Sequence, residues 1–392
     1  MALPFALHWP RRSSRFALCC PRIAKCLNSF NAFTVTHQLL LLMYVGLVLH
    51  PPFWQNPETL CWVAIPVCIY AADRARGLFK RTLQQKTQLQ SVGILPGRVV
   101  ELRLQKPKGW VTTPGSYIFV QIPSISRWEW HPFTISSAPD DPYISVHIRR
   151  LGDWTGALYT LAEDLVRMCP TSPAAGHTGD MAVSSDLCPM PAVSIDGPYG
   201  APTVGVQSYE VMMLIGAGIG VTPFASVLQD LVYKMQAAEK DPDADMQVKK
   251  VYMFVVVQTA QEGTWFKDAV ESALKFEGGE RFEYHLHVTQ KGKVDEDLAH
   301  KRLLSSVRGI YHRQTGRDAM TGMVVSDHSQ TKMGRPNWER YFSRCKELHP
   351  NTDIGVFFCG PIGLNIQLRQ LCKKHSRRDG TRFHYACESF RV

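Results

Sequence analysis

The stretch VMMLIGAGIGVTPFASVLQDLVYKM, residues 211–235, decides the fold class of this chain. It begins with an apolar run, passes through a glycine-rich turn, and ends in a segment with helical spacing of its apolar residues. A strand, a turn and a helix in this order are typical of a parallel α/β sheet, which binds ligands at the carboxyl ends of its strands. The turn GAGIG lets the backbone approach a pyrophosphate, although ordinary tight turns use the same residues.

Three later stretches have the pattern of buried strands, and helical patterns follow two of them. They are KKVYMFVVVQ at 249–258, FEYHLHVTQ at 282–290 and IGVFFCGP at 354–361. Alternation of strands with helices predicts a parallel sheet, so we expect an α/β domain over 205–392. The last of these strands would place Cys359 at the same edge as the glycine turn, where simple burial is the alternative interpretation of a cysteine.

The residues upstream have the short alternating strands of a small antiparallel barrel. GRVVELRLQKP at 97–107, GSYIFVQIP at 115–123 and YISVHIRR at 143–150 are separated by stretches with Pro and Gly. We therefore expect a β-barrel domain over 79–204. Residues 168–192 break the pattern and are rich in Ser, Pro, Ala and Gly, which predicts a loop insertion.

The first part of the chain has the charge pattern of a membrane hairpin. Apolar segments at 31–50 and 59–72 are joined by a loop without Lys or Arg, and basic residues flank them on the outer sides. Because positive flanks stay in the cytosol, we expect a basic cytosolic segment at 1–29 and a transmembrane helical hairpin at 30–78. The alternative is an amphipathic or buried helix pair, since the second segment is short and contains Pro66.

Composition excludes several classes of function. The formal net charge of +10 over 392 residues is concentrated beside the apolar segments and is not interleaved with stacking aromatics, so we expect no nucleic-acid partner. The 11 cysteines form no CxxC pair and no zinc-site spacing. Because the part after the hairpin would face the reducing cytosol, we expect no structural disulfide. No calcium-binding DxDxDG loop is present in the sequence.

Two histidines, His37 and His50, lie in the first apolar segment. Their spacing of thirteen residues corresponds to roughly 20 Å along a helix, which is most of the depth of a bilayer core. The spacing alone leaves two interpretations open. The histidines could ligate a metal inside the membrane, or they could lie at the two interfaces of one helix.

Two neighbouring motifs are far more specific, namely HPFTISSAP at 131–139 and HIRRLGDWT at 147–155. Together with IDGPYG, GAGIGVTPFASVL, TWF, GRPNWER and FFCGP, they resemble the flavin-binding barrel and nucleotide domain of the ferredoxin–NADP reductase superfamily. In detail they resemble the dehydrogenase of the NADPH oxidase (respiratory burst oxidase) family, with the ferric reductases as relatives. The resemblance implies a membrane helical hairpin, an antiparallel β-barrel FAD domain, and an α/β NADPH-binding domain with a parallel sheet.

The resemblance implies an FAD site in the barrel. His131 would approach the FAD phosphates, Phe133 would lie along the flavin, and Thr134 would offer its hydroxyl to the ring edge. Arg149 would neutralise the pyrophosphate beside a turn in the GDWT motif, as a charged diphosphate requires. The implied positions are His131, Pro132, Phe133, Thr134, Ile135, Ser136, Ser137, His147, Arg149, Gly152, Trp154 and Thr155.

The resemblance also implies an NADPH site in the α/β domain. The glycine turn would line the pyrophosphate, the CGP segment would lie against the nicotinamide, and the arginine of GRPNW would lie near the adenosine phosphate. An aromatic residue near the end of the chain would cover the flavin. The implied positions are Gly216, Gly218, Gly220, Thr222, Arg335, Cys359, Gly360, Pro361 and Phe390. No catalytic acid, base or nucleophile is expected, because the cofactors perform the chemistry.

In this family one membrane helix supplies two haem-ligating histidines in a run of the form FNAFxxTH…LH, which His37 and His50 match. The resemblance thus implies b-type haem, two groups in intact members, with these histidines as metal ligands. Electrons would pass from NADPH through FAD and haem to molecular oxygen, forming superoxide. The expected partners are oxygen, the membrane, and oxidase subunits or a second copy of the chain. We expect an integral membrane protein with its dehydrogenase region in the cytosol.

The chain departs from the family pattern in three ways. The second haem-binding helix would lie upstream of the first apolar segment, so the chain resembles the C-terminal part of an oxidase and should hold haem weakly. Gln258 stands where the family has an arginine for the 2′-phosphate of NADPH, which weakens the expected preference over NADH. Lys249, Lys250 or Arg335 could substitute for it. Phe390 is not the last residue, so the residues after it must be accommodated before nicotinamide can stack.

Three other functions fit the same motifs. A transmembrane ferric reductase would share nearly all of them and would differ in reducing ferric chelates. A flavin reductase subunit could pass electrons to a separate haem protein. A non-catalytic fragment could bind and regulate a full-length oxidase, and it would carry no flavin.

Overall fold

The chain divides into two compact units, Met1–Leu83 with Val392, and Gln84–Arg391. The structure, a computed structural model, describes the residues in the following ranges. They are 39, 42–46, 57–82, 86–169, 181–186, 188–200, 202–238, 247–275, 280–289, 311, 314–318, 320–324, 328–376 and 380–388.

The longest described element of the first unit is helix α1, Pro57–Thr82. It extends well beyond the predicted apolar segment at 59–72 and continues through Pro66. Within the ranges given above, no helix combines the length and hydropathy that crossing a membrane requires. His37 and His50 lie outside the described residues.

Two four-stranded antiparallel sheets form the barrel of the second unit, in the orders β1-β8-β4-β5 and β6-β3-β2-β7. An isolated bridge between Ile135 and Val146 joins the two sheets. The elements are β1 Lys86–Thr87, β2 Leu89–Leu95, β3 Val99–Gln105, β4 Tyr117–Gln121, β5 His131–Thr134, β6 Tyr143–Arg149, α2 Asp153–Met168, β7 Met181–Ser184 and β8 Val193–Tyr199. The predicted antiparallel strands are thereby confirmed, and their alternate residues, such as Ile118 and Val120 in β4, fill the core.

Two expectations for residues 168–192 are wrong. Four residues of the predicted loop insertion form β7, which pairs antiparallel with β2 and so completes a sheet. A disulfide joins Cys169, at the end of α2, to Cys188. The pairing of β7 with β2 returns the chain towards the end of α2, and the two Cα atoms lie 6.0 Å apart, a separation that a disulfide spans.

The α/β domain contains a six-stranded sheet in the order β12-β11-β10-β9-β13-β14. All neighbouring strands in it are parallel, as predicted. The elements are β9 Val211–Ala217, α3 Thr222–Ala238, β10 Lys250–Val257, α4 Lys267–Lys275, β11 Phe282–Val288, β12 Ser329–Met333, α5 Trp338–Leu348, β13 Asp353–Cys359, α6 Ile362–His375 and β14 Arg382–Glu388. Buried side chains lie on both faces of the sheet, with Phe224 of α3 on one face and Phe342 of α5 on the other.

The strand order changes direction beside β9. From β9 the chain adds β10, β11 and β12 on one side, and then crosses over to add β13 and β14 on the other. In open α/β sheets, the crevice outside the carboxyl ends of the strands at such a switch point is where ligands bind. The carboxyl ends of β9 and β13 carry the glycine turn and the CGP segment, so the two nucleotide motifs of the sequence meet at this point.

Candidate functional site

An aromatic cluster lies where β5 meets the start of α2. Alternation along β5 places His131 and Phe133 on the same side of the strand. The ring centroid of Trp154 lies 4.5 Å from that of His131 and 5.8 Å from that of Phe133. His131 Nε2 is also 3.1 Å from Glu129 Oε2. The structure therefore fixes the aromatic residues of both flavin motifs against one another, with Phe133 also packed on the barrel core.

Two polar groups in this region are buried without a partner. Neither the hydroxyl of Thr134 nor the indole N–H of Trp154 has a hydrogen-bond partner among the described residues. A buried polar group that lacks a partner costs about 1–3 kcal/mol, so both groups are candidates for pairing with a bound ligand. A flavin has ring-edge and phosphate atoms that can pair with both. The residues of the barrel thus fit FAD.

The remaining residues of the first motif bond to the barrel itself. The hydroxyl of Ser136 is 2.8 Å from His147 Nδ1 and 2.7 Å from the hydroxyl of Ser145. The hydroxyl of Ser137 accepts a hydrogen bond of 3.1 Å from Ser145 N. Ile135 is buried in the core. These side chains hold β5 against β6 and so fix the strand that carries Thr134. Their predicted contact with the cofactor stays a prediction.

The predicted phosphate turn is the N-terminus of α2. Gly152 is the residue before the helix, and the hydroxyl of Thr155 accepts hydrogen bonds of 2.9 Å from Leu151 N and Gly152 N. The first amides of an α-helix have no intrahelical acceptor, and the helix dipole adds positive potential there. Because Arg149 ends the strand just before this turn, cation and amides are available together for a diphosphate.

Arg149 also reaches the α/β domain. Its Nη2 is 3.8 Å from Oε1 of Glu262, whose side chain is 4% exposed. A Cβ atom added to Gly218 would lie 3.3 Å from Nη1 of Arg149, so the guanidinium sits directly beside the glycine turn. Gly218 has a φ of +58°, which favours glycine. One cation of the barrel therefore lies next to the predicted pyrophosphate turn of the other domain.

The glycine turn and the CGP segment are in close backbone contact. A Cβ atom on Gly220 would lie 2.3 Å from the carbonyl oxygen of Cys359, which no side chain can tolerate. Gly360 has a φ of +158°, and a Cβ there would lie 2.7 Å from the Cβ of Ala217. Gly216 has equally little space, since a Cβ atom added to it would lie 2.7 Å from Val221 Cα. The predicted glycines are thus required by the packing of the turn.

Residues beside this turn begin two helices. Thr222 is the first residue of α3, and its hydroxyl donates to the carbonyl oxygen of Ile219 at 3.0 Å. Pro361 precedes the first residue of α6. Cys359 is 2% exposed, and burial raises the pKa of its thiol. A neutral, buried thiol is an apolar wall rather than a nucleophile.

The residues predicted to bind the 2′-phosphate do not all lie at one edge of the sheet. Gln258 follows β10 at its carboxyl end and is exposed. Lys249 and Lys250 lie at the amino end of the same strand, about 26 Å away at the usual rise per residue. Their suggested substitution for the family arginine is therefore wrong. Arg335 follows β12 at the carboxyl edge and is exposed, two strands from β10, or about 10 Å.

The remaining predicted ligands lie beyond what the structure describes. Phe390 is outside the described ranges, as are His37 and His50. In the described part of the chain, no group of three or more His, Cys, Asp or Glu residues could hold a metal ion.

Four side chains between barrel and α/β domain have no signal in the sequence. Ser226 Oγ donates to the carbonyl oxygen of Ser137 at 2.7 Å, and Tyr233 donates to Asp141 at 2.6 Å. Glu262 is the partner of Arg149 described above. These contacts depend on how the domains meet. Ser226 lies within the GAGIGVTPFASVL motif but has no role implied by it, and the other three residues belong to no motif. Only their positions near α3 and the TWF motif could have drawn attention to them.

Two family models match the chain. An FAD-binding domain matches residues 84–203, and a ferric reductase NAD binding domain matches residues 209–373. The matched ranges contain the barrel and most of the parallel sheet, respectively. The predicted class of enzyme, an oxidoreductase that uses a flavin and a pyridine nucleotide, is thereby confirmed.

Curated relatives match over the full chain. Respiratory burst oxidase homolog protein B of Solanum tuberosum is 34% identical over 404 residues, covering 100% of this chain and 45% of that protein. Respiratory burst oxidase homolog protein D of Arabidopsis thaliana is 32% identical over 410 residues, covering 100% and 43%. The chain therefore spans less than half the length of these relatives.

One solved structure shows a weaker similarity. The flavohem-like FAD/NAD-binding domain of nitric oxide dioxygenase from Vibrio cholerae is 15% identical, with a TM-score of 0.44, covering 78% of this chain and 99% of that one. The matches to the curated relatives are at higher sequence identity, and both family models match as well. Together these sequence matches confirm the predicted family. Over the part of those proteins that it matches, the chain belongs to the respiratory burst oxidase homologs.

Proposed function

We propose that this chain is the dehydrogenase region of an NADPH oxidase, which passes electrons from NADPH through FAD and membrane haem to oxygen, forming superoxide. The observation that carries the proposal is the position of Arg149, which ends β6 just before α2 and whose guanidinium lies beside Gly218 of the nucleotide turn. Two cofactor sites that lie next to each other in this way suit electron transfer from one bound cofactor to the other.

The barrel would hold FAD through three kinds of contact. Thr134 and Trp154 offer their unpaired buried groups to the polar atoms of the cofactor. Arg149 and the first amides of α2 would neutralise its diphosphate. The stacked rings of His131 and Phe133 would give the site a rigid apolar wall, since each ring already packs against Trp154. When bound, FAD would supply the chemistry of accepting an electron pair and releasing electrons singly.

The α/β domain would hold NADPH at the switch point of its sheet. The turn from Gly216 to Gly220 brings bare backbone to the diphosphate, and the N-terminus of α3 follows it directly. Cys359 and Gly360 end the neighbouring strand with little side-chain bulk, which leaves the space above the sheet to the nicotinamide. Arg335 is the remaining cation proposed for the 2′-phosphate, because the two lysines lie at the opposite edge.

The membrane part of the proposal rests on sequence. His37 and His50 would ligate two b-type haem groups together with histidines of another helix. The proposed location is a membrane, with the dehydrogenase region in the cytosol and with oxidase subunits or a second copy of the chain as partners.

A ferric reductase is the second candidate function, because the family model that matches the α/β domain carries that name. The relatives are named as oxidases, which favours oxygen as the acceptor. Superoxide formation and ferric chelate reduction, measured side by side after reconstitution with haem-binding helices, separate the two. Ferric reduction without superoxide would reverse the assignment.

The FAD site can be tested on the full chain in detergent. The chain is incubated with FAD and desalted, and the flavin retained per chain is measured by absorbance. We expect close to one flavin per chain for the wild type and a clear loss for Thr134→Val, which keeps the shape but removes the hydroxyl. Arg149→Ala should weaken binding by about 2 kcal/mol, whereas Arg150→Ala, its neighbour stacked over Tyr159, should not. A wild-type chain that retains no flavin would contradict the proposal.

A further inference from the structure

Glu262 places a buried carboxylate between the two domains. It lies in the short turn Gln261–Thr264 of the α/β domain, and its side chain is 4% exposed. Carboxylates are rarely buried to this degree unless a cation or hydrogen-bond donors compensate them. Its neighbours in the same domain include the apolar residues Val255 and Phe266, with which it lines a small cavity. None of the residues that line this cavity is a lysine or an arginine.

The position of this carboxylate is closely confined. Its Oε2 accepts a hydrogen bond of 3.3 Å from Gln258 N. The side chain of Glu262 also contacts Gly97, in the turn between β2 and β3. A Cβ atom on Gly97 would lie 2.9 Å from both Cγ and Oε1 of Glu262. Gly97 has a φ of +78°, so both the conformation and the contact call for glycine at this turn. The turn of the barrel at Gly97 thus packs directly against the side chain of Glu262 and limits the space open to its carboxylate.

The cation that compensates Glu262 is Arg149 of the barrel, at 3.8 Å from Nη2 to Oε1. The other terminal nitrogen of Arg149 faces Gly218. A free arginine side chain samples many rotamers, and a ligand that needs one of them must bear the entropic cost of selecting it. A carboxylate beside the guanidinium favours one rotamer and so reduces this entropic cost. The same carboxylate also repels the negative charge of a diphosphate. Positioning therefore favours FAD binding and repulsion opposes it.

We propose that Glu262 is a positioning residue that holds the guanidinium of Arg149 ready for the diphosphate of FAD. The inference rests on the proposed function, since it takes Arg149 as an FAD ligand. The geometry favours positioning over competition, because the contact of 3.8 Å is too long for a direct hydrogen bond and leaves the donors of Arg149 free for phosphate oxygens. FAD affinity of the barrel then depends on a residue of the other domain.

The test is a double-mutant cycle on FAD affinity, with the full chain in detergent. The dissociation constant is measured by the quenching of flavin fluorescence for the wild type, Glu262→Gln, Arg149→Gln and the double variant. Glutamine keeps the volume and the acceptor for Gln258 N while it removes the charge. We expect Glu262→Gln to weaken FAD binding about tenfold, as for the loss of one charge contact, and to have no further effect when Arg149 is already replaced.

A matched control is Glu271→Gln. Glu271 also accepts a hydrogen bond from a backbone amide, that of Val324, and pairs with Arg317 at 3.4 Å, but it lies on α4 away from Arg149. The control should leave the FAD dissociation constant unchanged. If Glu262→Gln lowers the urea midpoint of unfolding more than Glu271→Gln does, it destabilises the protein. Glu262→Asp then takes the place of Glu262→Gln in the double-mutant cycle. Aspartate is one methylene shorter, so its carboxylate lies farther from Arg149. The effect of Glu262→Asp on FAD affinity should again disappear when Arg149 is replaced by glutamine.

The possible outcomes separate the two proposals. A wild-type chain that binds no FAD would overturn the proposed function and this inference with it. Weak binding by Arg149→Gln with normal binding by Glu262→Gln would overturn the positioning role alone. Tighter binding by Glu262→Gln would show that the carboxylate competes with the diphosphate and would overturn it too. Additive losses in the double variant would assign Glu262 a structural role that is independent of Arg149.

Discussion

The hydroxyl of Ser226 donates a hydrogen bond of 2.7 Å to the carbonyl oxygen of Ser137. Ser226 belongs to α3, the helix that follows the glycine turn, and Ser137 belongs to the segment that follows the flavin strand β5. Both residues are buried. The bond therefore ties the start of helix α3 to the segment that follows the proposed flavin strand.

Ser226→Ala should lower the free energy of unfolding of the second unit by about 1–3 kcal/mol. The substitution leaves the carbonyl of Ser137 buried without its donor, and alanine cannot replace it. Urea denaturation followed by tryptophan fluorescence measures the change. Ser208→Ala, at an exposed serine of the same unit, is the control and should change stability very little. Equal effects of the two substitutions would show that the bond contributes nothing to domain docking.

The strands were predictable wherever apolar side chains alternate or form a continuous run. Strand β4 alternates buried Ile118 and Val120 with less buried neighbours, and β9 is apolar throughout. Strand β12, Ser329–Met333, was not predicted, because SQTKM lies at an edge of the sheet and contains almost no apolar residue. Strand β7 was missed because it is short and lies in a segment of loop-like composition.

The candidate site was predictable only in its motifs. Local sequence patterns identify Thr134, Arg149 and the glycine turn, because each has a fixed place relative to a strand or helix end. Glu262 acquires its role from the approach of two domains, which no local pattern encodes. Lys249 and Lys250 lie at the start of β10, and residues that begin a parallel strand lie at the edge opposite to its ligands.

Gln258→Arg should raise the ratio of NADPH to NADH activity about tenfold. Gln258 is exposed at the carboxyl end of β10, where a guanidinium would add one charge contact to the 2′-phosphate. The ratio of kcat/KM for the two nucleotides is measured in a dye-reduction assay. Lys249→Gln serves as the control at the opposite edge and should leave the ratio unchanged. A ratio that does not rise in Gln258→Arg would place the 2′-phosphate elsewhere, with Arg335 as the next residue to replace.

Gly220→Ala should abolish NADPH-dependent dye reduction and destabilise the unit by more than 1 kcal/mol, a rough value for forced overpacking. The added Cβ would lie 2.3 Å from the carbonyl oxygen of Cys359, so the turn and the CGP segment must separate. Gly363→Ala is the matched control, because a Cβ at Gly363 has no heavy atom within 4 Å. In helix α6 it should stabilise slightly, by about 0.5–1 kcal/mol. Normal nucleotide use by Gly220→Ala would exclude the turn from the site.

His287 should make the second unit less stable in acid. Burial lowers the pKa of His287 to about 4. Its ring contacts the hydroxyl of Tyr341 and the carbonyl of Gly334, and the side chains of His285 and Lys332 lie nearby. Between an unfolded value of about 6.5 and the folded value, the unfolded chain binds a proton that the native state does not. Stability is therefore fully present above pH 6.5 and falls as the pH drops towards 4.

The measurement is the urea midpoint of the full chain between pH 7 and pH 4. His287→Gln removes this titration, so its midpoint should depend less steeply on pH than that of the wild type. Other acid-sensitive groups are common to both proteins and cancel in the comparison. Parallel curves for the two proteins would mean that His287 does not titrate differently in the folded and unfolded states.

The most direct test of the account is the anaerobic reduction of bound flavin by NADPH. The full chain is reconstituted with FAD, freed of excess cofactor, and mixed with NADPH in the absence of oxygen while the flavin absorption band is followed. If NADPH bound at the glycine turn reduces the flavin of the barrel, NADPH bleaches the band and admitted oxygen restores it. Gly220→Ala should then abolish the bleaching by NADPH. A band that dithionite bleaches but NADPH does not would contradict the central claim, because the flavin would then be bound without access to the nucleotide site.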